Sequence, residues 1–232
     1  MNEVDFSKKL LVSITGKKEK DWKEKLEEIN MLGIKEVALF LELYTKKQRQ
    51  KIYNALLNSN IKSIPLVHIR HDMDKDELKF LKNIYKTKYF TIHEINFQQN
   101  DILKWNGFYK NLCLEMNFDN FVSKKIKVEK IDGFCVDLAH FKVGMEMLNK
   151  DFEYVYKNKK FKKYFDCNHL NGWCPKTNLD MHKIYNLNDF DYLETLPKFV
   201  FGKIVALEVF NSINDQLEFK KYLINLLNKK FK

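Results

Sequence analysis

The chain is poor in the residues that make tight turns and cross-links. Its 232 residues include 7 glycines, 3 prolines and 4 cysteines. Neither G-x-G-x-x-G nor G-x-x-x-x-G-K-[ST] occurs, which excludes the common phosphate-cradling loops. The cysteines, Cys113, Cys135, Cys167 and Cys174, lack C-x-x-C spacing. A zinc ribbon or disulfide scaffold is therefore not expected, and the thiols fit a reduced protein. No run of about 20 apolar residues exists to span a membrane. The first residues, MNEVDFSKKLLVSITG, read as a first strand and not as a signal peptide, because no small-residue cleavage site follows. A cytoplasmic location is expected.

Arginine is scarce as well. Of 41 basic residues only Arg49 and Arg70 are arginine, yet the net charge is +10. Lysine, Asn, Ile, Phe and Tyr are all abundant, the bias of an AT-rich coding sequence. Most lysines fall in helical stretches such as KKEKDWKEK, KNKKFKK and NKKFK. The charge is read as a solvated lysine surface in preference to a nucleic-acid footprint.

What is present is alternation, and the 45% apolar content supports a sizeable core. Apolar, β-branched runs are followed by lysine-rich segments of helical spacing. The predicted strands are LLVSITG, VALFLEL (37–43), SIPLVHI (63–69), YFTIHEI (89–95), NLCLEMN (111–117), GFCVDLA (133–139), YFDCNHL (164–170) and KIVALEVF (203–210). Helices are predicted between them, including a short one near 98–106, one in NFVSKKIKVEK and a single one over HFKVGMEMLNKDFEYVYKN. A long loop follows the seventh strand. Eight such units predict one domain over 1–232, a (β/α)₈ barrel with a closed parallel sheet. An open doubly wound sheet is the alternative, and it lacks its Gly-rich loop.

Polar residues collect at the C-terminal ends of these strands. They are His68, His93, Glu115, Asp137, His169 and Glu208, with His140 one loop step past Asp137 and Asp180 and His182 in the following loop. All six histidines, His71 included, fall at or just after a strand end, the face where barrel active sites lie. Carboxylates mixed with imidazoles suit a divalent ion, Mn²⁺, Zn²⁺, Co²⁺ or Mg²⁺. Two residues before Glu115, Asp137, His169 and Glu208 stand Cys113, Cys135, Cys167 and Ala206. Strand alternation puts each small residue on the same face as its ligand, pointing into the barrel. Arg70, beside His71, is a candidate for binding an anionic substrate group. The alternative is an ion pair with Asp72 or Asp74.

The order Glu, Asp-x-x-His, His, Glu on strands five to eight resembles the xylose isomerase-like barrel superfamily. DLAHFKVG (137–144), NHLNG followed by DMH, and LEVF carry the resemblance, which covers nearly the whole chain. It implies that Glu115, Asp137, His169 and Glu208 hold a metal, with Glu115 and Glu208 as the acid/base pair of a sugar or sugar-phosphate isomerase or epimerase. The group also contains abasic-site nucleases of the endonuclease IV type. For those it implies further metal positions at His68, His93, Asp180 and His182, while His140 holds substrate or a second metal. A small-molecule sugar substrate is favoured over DNA. The chain departs from both patterns after His68 (IRHDM), after Glu115 (MNFDN) and after DMH (KIYNLNDFDYL).

Overall fold

In a computed structural model the protein is described over residues 5–94, 104–117 and 128–232. Strands in chain order are β1 (Leu10–Leu11), β2 (Ser13–Ile14), β3 (Ala38–Phe40), β4 (Leu66–His68), β5 (Tyr89–His93), β6 (Leu112–Glu115), β7 (Gly133–Asp137), β8 (Phe165–Leu170), β9 (Gly172–Cys174), β10 (Leu179–Met181) and β11 (Ile204–Leu207). Helices are α1 (Glu19–Met31), α2 (Lys46–Leu57), α3 (Lys75–Tyr85), α4 (Leu138–Met147), α5 (Lys150–Lys157) and α6 (Ile213–Phe231).

The main sheet runs β1-β11-β8-β7-β6-β5-β4-β3-β2, parallel at every step. Its two ends are β1 and β2, which only Val12 separates. One strand thus pairs with the last strand by its first half and with β3 by its second. That closure makes the fold a (β/α)₈ TIM barrel, as predicted. Among the described residues no helix is long and apolar enough to cross a membrane.

The core has two parts. One lies between sheet and helices. The other fills the barrel: Leu11, Ala38, Phe40, Leu66, Tyr89, Cys113, Cys135, Cys167 and Ala206. The small residues predicted beneath four strand-end groups are in this inner set. A large side chain as fully buried as Phe40 contributes about 1.5–3 kcal/mol. Burial pushes the Cys135 thiol up to about 12, so it stays neutral, and all four cysteines are free. Glycine is spent where backbones meet: a Cβ on Gly133, at the start of β7, would sit 2.5 Å from the Tyr164 carbonyl oxygen.

Three expectations need correction. The single helix over 140–158 is two helices. Leu148 takes a left-handed conformation (φ 51°) that ends α4, and the Asn149 side chain caps α5 by accepting from Phe152 N at 2.9 Å. The loop after the seventh strand holds an antiparallel hairpin, β9 with β10. Asp137 is followed by no loop: it is the N-cap of α4, and Oδ1 accepts from His140 N at 2.7 Å. His140 therefore stands in a helical first turn. The helices expected near 98–106 and in NFVSKKIKVEK fall largely outside the described residues.

Candidate metal centre

Strand alternation carries the inner layer up to the C-terminal mouth. Above Leu66, Cys113, Cys135, Cys167 and Ala206 come His68, Glu115, Asp137, His169 and Glu208, all buried. Glu115, Asp137, His169 and Glu208 each offer one ligand atom, and the four atoms lie within 4.8 Å of one another. His68, His93 and Glu115 form a second such group, and His68, His169 and Glu208 a third. Glu115 and Glu208 converge on one ring nitrogen of His169: Nδ1 is 3.0 Å from Glu115 Oε2 and 3.2 Å from Glu208 Oε2. His68 Nδ1 stands 3.1 Å from the same Glu115 oxygen.

The hairpin adds the remaining groups. Asp180 Oδ2 lies 3.1 Å from His182 Nε2 and 3.7 Å from His140 Nε2, and His140 Nδ1 is 3.8 Å from Glu115 Oε1. Nine of the predicted residues are therefore brought together. Arg70 and His71 are not among them. Arg70 Nε pairs with Asp72 at 3.5 Å, the ion-pair alternative, and His71 lies at the exposed surface.

The imidazoles are oriented from behind. His169 Nε2 is 3.0 Å from Thr91 Oγ1, His93 Nδ1 is 3.2 Å from Asn117 Oδ1, and His182 Nδ1 is 2.9 Å from the Glu208 carbonyl. A ring nitrogen that donates to such an acceptor leaves the other as a lone pair facing the centre, the usual arrangement behind metal-binding histidines. Asp137 is held the same way, its Oδ2 accepting from Asn171 Nδ2 at 3.0 Å.

Carboxylates and imidazoles in the centre shift one another's protonation. Burial acts against the Glu115 carboxylate, but His169, His93 and His68 hold it well below the usual range. Burial keeps His68 neutral, down at about 4, against the pull of Glu115. Asp137 is pushed up to about 6, first by burial, and Glu208 and Glu115 add to it. His140 is raised to about 10 against its burial, chiefly by Asp137 and Asp180, and His182 to about 9, chiefly by Asp180. His169 rises well above its ordinary value against the same opposition, through Glu115 and Glu208.

A divalent ion fits these residues. Both ring nitrogens of His68, Glu115 Oε2, His169 Nδ1 and Glu208 Oε2 are buried without a hydrogen bond of good geometry. Buried polar atoms are normally satisfied, and a cation would complete Glu115 Oε2, His169 Nδ1, Glu208 Oε2 and one of the two His68 nitrogens. Glu42, at the end of the run that contains β3, was missed from sequence. Its Oε2 is buried and unpartnered, and burial with the nearby Glu208 and Glu115 pushes its carboxyl up to about 8. The signal was there: it ends a predicted strand, as the other site residues do.

No protein-family model matches the chain, and no curated protein matches it. Among solved structures the fold is similar to that of a D-tagatose 3-epimerase-like protein, with a TM-score of 0.54 and 14% identity over 95% of this chain and 99% of that one. At that identity the likeness is one of fold.

Proposed function

We propose that the protein is a divalent-metal-dependent isomerase or epimerase acting on a small sugar or sugar phosphate. One observation supports this reading: two buried carboxylates, Glu115 and Glu208, converge on the same nitrogen of His169 within a four-residue ligand set. Glu115, Asp137, His169 and Glu208 hold the ion, and the imidazole share favours Zn²⁺ or Mn²⁺ over Mg²⁺. When bound, the ion polarises a hydroxy-carbonyl pair and acidifies the C–H beside the carbonyl. Glu115 stays ionised and accepts that proton. For a shift to the neighbouring carbon Glu115 returns the same proton; for inversion the opposite face takes its proton from Glu208 in its acid form, after which Glu115 releases its proton to solvent and Glu208 regains one. The epimerase-like name of the structural neighbour supports the same reading.

A second reading is favoured by a separate observation. The group His68–His93–Glu115 shares Glu115 with the tetrad, and His140, Asp180 and His182 continue the line on the other side. Linked sites of this kind suit more than one ion and the hydrolysis of a phosphodiester, as in an abasic-site endonuclease. One pair of assays separates the two. The metal-loaded protein is incubated in D₂O with a panel of aldoses, ketoses and their phosphates, and C–H loss is followed by proton NMR. The same protein is given a duplex with one abasic site. Exchange without strand cleavage is expected. Cleavage without exchange puts the nuclease first.

A further inference from the structure

The inward-facing strand ends include one acid outside the ligand set. Ala38 and Phe40 of β3 both face the barrel interior. Glu42 follows two residues on, in the turn just past the C-terminal end of β3 at the mouth. The backbone supports this, because Leu41 N donates to the His68 carbonyl at 2.9 Å and keeps the run in register beside β4. Phe40 itself lies against the centre, its ring 4.9 Å from that of His169. Glu42 feels the charges of Glu208, Glu115 and His169. It nonetheless belongs to none of the three candidate ligand groups. Its Oε2 is cut off from solvent and finds no donor among the described residues.

We propose that Glu42 is a substrate-contact residue that selects a neutral, hydroxyl-bearing part of the ligand. A hydroxyl both donates and accepts, so it pairs with a carboxyl in either protonation state. A phosphate or carboxylate oxygen only accepts, so it would leave the acceptor Glu42 Oε2 without the donor that a hydroxyl supplies. An anionic substituent must then point to another side of the mouth. This inference rests on the metal-dependent sugar reading and adds a polarity to it: the polyol end of the substrate lies against β3.

The test uses xylitol, a neutral polyol that cannot turn over, with Mn²⁺ as the ion. Water-proton relaxation measures Mn²⁺ affinity, and calorimetry on the Mn²⁺-loaded protein measures xylitol affinity. Wild type, Glu42→Gln and Glu42→Ala are compared after their melting curves are checked. The expected result for Glu42→Ala is Mn²⁺ affinity within about threefold of wild type and xylitol affinity lower by about tenfold or more. Glu42→Gln, which keeps the shape, should lose xylitol affinity by a smaller factor and covers the case in which the alanine variant does not fold. Unchanged xylitol affinity in both variants overturns the proposal. So does a tenfold loss of Mn²⁺ affinity, which would make Glu42 an ion ligand. Mn²⁺ binding without xylitol binding in wild type defeats this inference and leaves the metal centre standing. No Mn²⁺ binding in wild type defeats the metal reading itself.

Discussion

Two buried clusters of charge sit in this barrel, and they are built in opposite ways. On its outer wall, Arg49 is fully buried and fully matched. Its Nε and Nη2 donate to the two oxygens of Glu77 at 2.8 and 2.9 Å, and Nη1 donates to the Tyr44 carbonyl and to Asp72 at 2.8 and 2.9 Å. Tyr53 adds its hydroxyl to Glu77 at 2.8 Å. That cluster ties α2 to α3 and to the turn after β4. At the mouth, by contrast, carboxylate and imidazole atoms crowd to within 4.8 Å while several lack any hydrogen bond. A buried ion pair is tolerable when geometry and extra hydrogen bonds repay desolvation. The outer cluster meets that condition by itself. The described atoms at the mouth do not meet it by themselves.

The sharpest way to break the contrast is at Glu115, which belongs both to the tetrad and to the group with His68 and His93. Glu115→Gln should abolish stoichiometric metal binding, read by elemental analysis, and lower C–H exchange by on the order of 10³-fold through loss of ligand and base together. Retained metal and near-normal exchange would move the centre elsewhere.

Arg49→Met attacks the other cluster. It leaves Glu77 buried and unpaired, at a cost of about 3–5 kcal/mol. At about 2–4 °C per kcal/mol for a chain of this size, Tm should fall by about 10 °C. Metal affinity measured below that temperature should stay at the wild-type value.

A finer probe is Thr91→Val, which keeps the shape and removes the hydroxyl 3.0 Å from His169 Nε2. Metal affinity should drop about 10–100-fold, the usual effect of losing a group that orients a ligand. The melting temperature of the metal-free protein should shift far less than in Arg49→Met.

The smallest effect expected is on pH dependence. In metal-free protein His140 and His182 are raised to about 10 and 9 by their acidic neighbours. A histidine raised on folding stabilises fully below its unfolded value of about 6.5 and loses that contribution as pH climbs through the folded value. The metal-free protein should therefore melt a few degrees lower at pH 9.5 than at pH 6.5. Metal must displace the same protons, so its affinity should rise over that window.

Much of this was legible in the sequence, for a physical reason. A strand's period of two ties each rim residue to the residue beneath it, so Cys113, Cys135, Cys167 and Ala206 located Glu115, Asp137, His169 and Glu208 before any coordinates. What periodicity does not encode was missed. The break at Leu148 depends on one left-handed residue and the Asn149 cap. The hairpin of β9 and β10 lies in a stretch too short and mixed to alternate clearly. The sequence leaves Arg70 open between an anion site and an ion pair with Asp72 or Asp74; Arg70 lies 3.5 Å from Asp72, which also pairs with Arg49, a contact between elements that no local pattern records.

Calorimetric titration of metal-stripped wild-type protein with Mn²⁺ and Zn²⁺, paired with melting curves, tests the central claim most directly. The account requires at least one ion per chain and, at a hundredfold excess over Kd, about 2.7 kcal/mol of added stability, seen as a higher Tm. No heat of binding and no change in Tm at millimolar metal would contradict it, and would leave the mouth as an unsatisfied cluster with no cation to complete it.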